Sequence, residues 1–177
     1  MKRILALFLC LAMVFALTGC NLFAAGDGTK PGNTSPELKI TDTVTHKDPE
    51  NVDFAKRYAY YSGESFVLTD DFKTLYNVDV TSEFLIIYVD KDDRAVAQYT
   101  YLVFASSEDA NKYAEGVEQY GLNPTITENV TCDFMDAEGI KNNIDTFITM
   151  NVLTDHSGQA YVQNLVEMDL LVEYNPE

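Results

Sequence analysis

Two histidines, three cysteines and 28 acidic residues are the side chains with which this 177-residue chain could do chemistry. Asp155-His156-Ser157 carries the three residue types of a hydrolytic triad. Neighbours in a turn cannot form one, because a triad joins nucleophile, base and orienter from separated segments. With Gly158 beside it, the run reads as a turn that uses Asp, Ser and Gly for backbone reasons. Asp90, Asp92 and Asp93 offer hard oxygen donors of the kind calcium takes six to eight at a time. An EF-hand would need glycine and glutamate where Ala95 and Tyr101 stand. A looser calcium site on the three aspartates, joined by Asp70 and Asp71 or by Asp136 and Glu138, is the one cofactor the sequence suggests; otherwise none is expected.

Cys132 alternates with polar residues on a strand-like segment, which makes it a small packed hydrophobe. No basic neighbour is present to activate its thiol. Tyrosine is abundant, 11 residues with 10 Phe and no Trp. Tyr99 and Tyr101 fall on one side of a strand and form a candidate contact patch if that side is open, since tyrosine pairs an apolar body with a polar tip. Glycine-rich phosphate loops, Gly-x-Ser-x-Gly and His-Glu-x-x-His are missing from the sequence. Paired carboxylates could still work as acid and base, but choosing a pair among 28 would be arbitrary.

Several elements would position these groups. Asp48-Pro49 resembles a helix N-cap and first position, and Val52, Ala55 and Ala59 with the tyrosines up to Tyr61 suggest a helix that Gly63 ends. A short helix is expected from Thr69 through Tyr76. Phe84 to Val89 is apolar on both sides, the pattern of a central strand, and Asp90 to Arg94 turns it into a second strand ending at Phe104. Ser106 and Asp109 make a capping box before the stripe Ala110, Tyr113, Ala114, Val117, with Gly121 at the C-terminal position. The segments 126–134, 144–152 and 160–172 read as three consecutive antiparallel strands. The expected fold is α+β: a single antiparallel sheet of about five strands, polar on one side, with helices packed on the other.

Twelve basic residues include two before position 20, so ten oppose 28 acidic ones beyond it, a net −18. That balance excludes nucleic acid and anionic lipid surfaces as partners held by charge.

Met1-Lys2-Arg3 is a basic start, Ile4 to Leu17 is apolar, and Leu17-Thr18-Gly19-Cys20 follows. Fourteen apolar residues fall short of the roughly 20 needed to span a bilayer, and the layout is that of a cleaved signal. These residues resemble a bacterial prolipoprotein signal with its Leu-x-Gly-Cys lipobox. The resemblance implies cleavage between Gly19 and Cys20 and a diacylglycerol on the Cys20 sulfur. Two acyl chains anchor stably where one does not. Residues 1–19 are then the signal, 20–46 a small, polar tether reaching about 25–30 Å, and 47–177 one extracytoplasmic domain. The domain's only remaining cysteine is Cys132, so no internal disulfide supports it.

The implied location is the outer side of the cell membrane, or the outer membrane if the host has one. The expected partners are the membrane, through the lipid on Cys20, and an envelope protein or wall component. A non-catalytic binding module is favoured over its alternatives, a small envelope hydrolase with a carboxylate-based site or a calcium-dependent module.

Overall fold

The structure is a computed structural model and describes residues 37–62 and 69–174. The lipobox at Leu17–Cys20, the tether as far as residue 36, the glycine expected to end a helix at Gly63, and the side chains of Asp70 and Asp71 lie outside the described residues.

Six strands form the main sheet. In chain order they are β3 (Lys56–Tyr61), β4 (Val80–Val89), β5 (Ala95–Phe104), β6 (Thr125–Thr127), β7 (Val130–Asp136) and β8 (Val172–Glu173). Two further strands, β1 (Leu38–Lys39) and β2 (Thr45–His46), pair with each other. The large sheet has the order β6-β7-β5-β4-β3-β8 and every neighbouring pair is antiparallel. The helices described are α1 (Thr69–Tyr76), α2 (Ser107–Glu118), α3 (Ala137–Thr149) and α4 (Gly158–Asp169). The fold is thus α+β with an antiparallel sheet, as expected, but the sheet has six strands and not about five. Among the described residues no helix is long and apolar enough to cross a membrane.

The centre of the sheet follows from the apolar run in β4. Leu85, Ile87 and Val89 point to one side and meet Ile140, Ile144 and Phe147 of α3 and Tyr161, Val162 and Leu165 of α4. Phe84, Ile86 and Tyr88 point to the other and meet Leu38, Ile40, Val44, Val52 and Phe54. A strand buried on both sides sits in the middle of its sheet. The side expected to be polar is therefore covered, by residues 38–54 laid across it as a strap. Residues 38–46, expected to belong to the tether, are packed on the sheet instead: Leu38, Ile40 and His46 are buried.

Three other expectations are corrected. Residues 56–61 are strand β3, not the end of a helix begun at Asp48. Tyr58 and Tyr60 pack on the helix side while Ala59 and Tyr61 pack on the strap side, a two-sided burial that a strand provides. Segments 144–152 and 160–172 are mostly helical. Ile144 and Ile148 stand four apart, a spacing that suits a strand's period of two and a helix's 3.6 equally. The loop signals ahead of them are N-caps: Asp136 accepts from the Gly139 amide at 2.9 Å and Ser157 from the Ala160 amide at 3.1 Å. Only Val172–Glu173 of the last segment is strand, paired to Tyr60 and Tyr61. Segment 126–134 is a hairpin of two strands, turned at Glu128, whose φ is 55°. Helix α1, the β4–β5 hairpin and α2 stand as read, with Ser106 capping α2 and Gly121 left-handed at φ 80°.

Candidate functional site

On its helix side the sheet carries two separate apolar clusters. One lies under α3 and α4 and includes Leu85, Ile87, Met135, Phe147 and Tyr161. The other lies under α1 and α2 and includes Phe72, Val80, Leu102, Phe104 and Tyr113. A polar seam divides them. The strand pleat places Glu83 two residues ahead of Leu85 on β4, and Thr131 opposite Leu102 and Asp133 opposite Thr100 across β7 and β5. Ser62 closes the β4 end of the seam, its amide donating to the Glu83 carbonyl and its Oγ accepting from the Glu83 amide, both at 2.9 Å.

The seam is short of donors. Glu83 is 6% exposed, and its Oε2 has no hydrogen-bond partner, nor has Thr131 Oγ1; outside the seam, Asn143 Oδ1 on α3 and Asn164 Oδ1 on α4 are also unpaired. A buried polar atom left unsatisfied costs about 1–3 kcal/mol, so four together call for an explanation. What bonding there is runs along one flank. The Tyr161 hydroxyl donates to Gln98 Oε1 at 2.8 Å, Gln98 Nε2 donates to Thr100 Oγ1 at 3.3 Å, and Asn143 Nδ2 reaches the Met135 sulfur at 3.3 Å.

Three carboxylates share this environment. Burial, and then the negative charge of Asp169 at the end of α4, push the Glu83 carboxyl well above the usual range. Burial alone lifts Asp133 and Asp169 to about 6. The Tyr113 hydroxyl is raised by its burial, then by the charges of Asp133, Tyr76 and Glu83, so one side chain of α2 lies within electrostatic reach of two of the three acids. Asp133 and Asp169 are half-buried.

The strap side holds a different arrangement. His46 is 2% exposed, with Nδ1 2.7 Å from the Tyr101 hydroxyl and Nε2 2.7 Å from that of Tyr88. Tyr88 gives its proton to Asp48 Oδ1 at 2.7 Å, and Arg57 donates to the same oxygen at 2.8 Å. The Tyr88 oxygen therefore accepts from Nε2–H, and Nδ1 accepts from Tyr101, which fixes the neutral tautomer. Burial holds the ring down to about 4 against the raising effect of Asp48. The Cys132 thiol interacts with Tyr101 at the end of this chain, and burial pushes it to about 11. This network pins the strap to the sheet.

The residues singled out from sequence fall as follows. Tyr101 is buried beneath the strap, so it presents no contact patch with Tyr99; Tyr99 is half-buried, edge-on to His46 at 4.7 Å and tilted on Phe134 at 5.0 Å. The carboxylate of Asp90 accepts from the amides of Asp92 and Arg94 and from the Arg94 guanidinium. Asp92 pairs with Lys91 and Arg94. Asp93 turns away to the start of α4, where Ser157 Oγ donates to it at 2.6 Å and the Gln159 amide at 3.2 Å. The three do not converge on a cation, and no group of three metal-ligating side chains is found among the described residues. His156 is exposed and paired with Asp145 at 2.6 Å, apart from Ser157. Asp136 and Glu138 lie at the start of α3, where the Asp136 carboxylate caps the helix by accepting from the Gly139 amide.

Sequence reading missed Glu83, Thr131, Asp133 and Asp169. Glu83 stands at the edge of an apolar run, and Thr131 and Asp133 flank Cys132 as polar residues on a side that α2 and α3 cover. The signal for Glu83 is that it stands two residues from Leu85 and four from Ile87, on the same side of a strand. Comparison with protein-family models, with curated proteins and with solved structures finds no match for the chain.

Proposed function

We propose that the protein is a lipid-anchored domain displayed on the outer side of a cell membrane, where it binds a ligand in the seam between its two helix pairs. Leu17-Thr18-Gly19-Cys20 supports the anchor. The observation that carries the binding reading is the pair of buried seam atoms without partners, Glu83 Oε2 and Thr131 Oγ1. Such groups are retained where a ligand completes their bonding.

Each half has its own test. Cells making the chain incorporate labelled palmitate, and Cys20→Ala yields an unlipidated, uncleaved precursor; normal cleavage of that variant overturns the anchor. For binding, the lipidated chain in detergent is melted against wall fragments, sugars, short peptides, calcium and a chelator. A ligand at a hundred times its dissociation constant adds about 2.7 kcal/mol, a rise of several degrees, and Glu83→Gln abolishes the rise if the seam is the site.

One observation favours a second reading, a small envelope hydrolase. Asp133 and Asp169 at about 6 are carboxyls tuned towards the pH at which a general acid or base works. Recovery of the bound compound unchanged supports binding. Turnover that is lost in Asp133→Asn or Asp169→Asn supports catalysis.

A further inference from the structure

Strands β4, β5, β7 and β6 run for ten, ten, seven and three residues, so the sheet steps down towards its β6 edge. β6 pairs with β7 only from Val130 to Cys132. It begins just after Pro124, whose nitrogen carries no hydrogen for a ladder. Asp133 to Asp136 therefore have β5 on one side and, among the described residues, no strand on the other.

The register decides which backbone groups this leaves over. The Phe104 amide donates to the Asn129 carbonyl at 2.8 Å, so these two residues form a hydrogen-bonded pair. Such pairs alternate along antiparallel strands, and the β5–β7 register is unbroken from Val103 and Val130 to Ala97 and Asp136. Thr131, Asp133 and Met135 thus turn their amides and carbonyls to β5, while Val130, Cys132 and Phe134 turn theirs outward. Thr127 and Thr125 of β6 stand opposite Val130 and Cys132, but no strand residue stands opposite Phe134. The Phe134 side chain lies on the strap side, 56% exposed and tilted on Tyr99 at 5.0 Å. Asp133, next to it, is half-buried on the helix side. No cation among the described residues compensates it, since burial alone shifts its carboxyl.

We infer that this edge takes an extended peptide of a partner protein as an added antiparallel strand, with an apolar residue against Phe134 and Tyr99 and a lysine or arginine, next in its sequence, beside Asp133. The residue opposite Phe134 exchanges two backbone bonds with it, and its neighbour falls on the other side of the sheet. Main-chain bonds then supply the hold and the alternate side chains the choice of partner. A second copy of this chain is a poorer occupant, because ten basic against 28 acidic residues beyond position 20 make two copies repel. The surface shares only Asp133 with the seam and does not depend on the seam being a binding site.

The test titrates the lipidated chain in detergent, by fluorescence anisotropy, with a labelled heptapeptide in which lysine and valine alternate. Two controls run beside it, one with glutamate in place of lysine and one with every valine nitrogen methylated. The lysine peptide is expected to bind at least about tenfold more tightly than either, and to slow amide hydrogen exchange across residues 130–136. Phe134→Ala is expected to weaken it about fivefold and Asp133→Asn about threefold. The inference is overturned if the lysine peptide does not bind, or if the glutamate or methylated peptide binds as well. Binding that leaves exchange across 130–136 unchanged and ignores Phe134→Ala belongs to the acidic surface at large, and also overturns it. Self-association of the chain that Phe134→Ala abolishes would make a second copy the occupant and overturn the basic partner.

Discussion

His46 and the seam aspartates respond to pH in opposite senses within one window, and the signs follow from burial. Asp133 and Asp169 have folded values raised to about 6. Their contribution to stability is full below the ordinary carboxylate value and is lost as pH rises through about 6. His46 is lowered from 6.5 to about 4. The neutral ring contributes fully above pH 6.5, and that contribution is lost as pH falls towards 4, by up to about 3 kcal/mol. Denaturant unfolding between pH 4.5 and 7.5 separates the two. The double variant Asp133→Asn, Asp169→Asn is expected to gain on the wild type as pH rises. His46→Gln, which cannot charge, is expected to gain on it as pH falls. A difference that stays constant with pH in either comparison refutes the corresponding burial argument.

Helix α4 shows how an element can be fixed by a contact that sequence patterns do not carry. Gly158 opens it, and a Cβ there would meet the Ala95 amide nitrogen at 2.9 Å, a Val89 methyl at 3.0 Å and the Asp93 carbonyl at 3.1 Å. Alanine is ordinarily the better helix residue by about 1 kcal/mol, yet two of these neighbours are backbone and cannot give way. Gly158→Ala is expected to lose about 1–3 kcal/mol in urea unfolding, and a gain would show that the turn can relax. Removing the cap with Ser157→Ala costs about 1 kcal/mol and takes away one of the two hydrogen bonds to the Asp93 carboxylate. The β4–β5 hairpin and α2 were legible because their signals are local: an apolar run followed by an acidic turn, a capping box followed by a stripe. Helices α3 and α4 were not, since Ile144, Ile148, Val162 and Val166 recur every four residues and fit either period. β3 was misread because Asp48 looks like a cap in sequence but receives Arg57 and Tyr88 in the fold. The seam was illegible because its acids matter only through which side of the sheet the helices cover, and that was set by the two misread helices.

At the scale of the whole molecule, the strap joins whatever precedes residue 37 to the middle of the sheet. Its hold is distributed. Leu38 and Ile40 are buried against Phe84, Ile86 and Tyr88, His46 links Tyr88 to Tyr101, and the hydroxyl of Tyr174, near the other end of the chain, donates to the Lys39 carbonyl. A large aliphatic side chain contributes about 1.5–3 kcal/mol when fully buried. Losing Leu38 and Ile40 together therefore costs about 3–6 kcal/mol, a large share of the 5–15 kcal/mol that holds a typical domain folded. A chain beginning at Lys47 lacks these residues and His46, leaves the Tyr88 and Tyr101 hydroxyls without the imidazole, and bares the strap side of the sheet. Fragments 37–177 and 47–177 can be compared by thermal melting and by light scattering. The shorter one is expected to melt well below the longer and to associate through the uncovered face. Coincident melting curves would mean that the strap lies on a domain already complete without it. A large gap makes the strap part of the core, so that any pull arriving through residue 37 acts on His46 and its tyrosines before it reaches the seam on the far side.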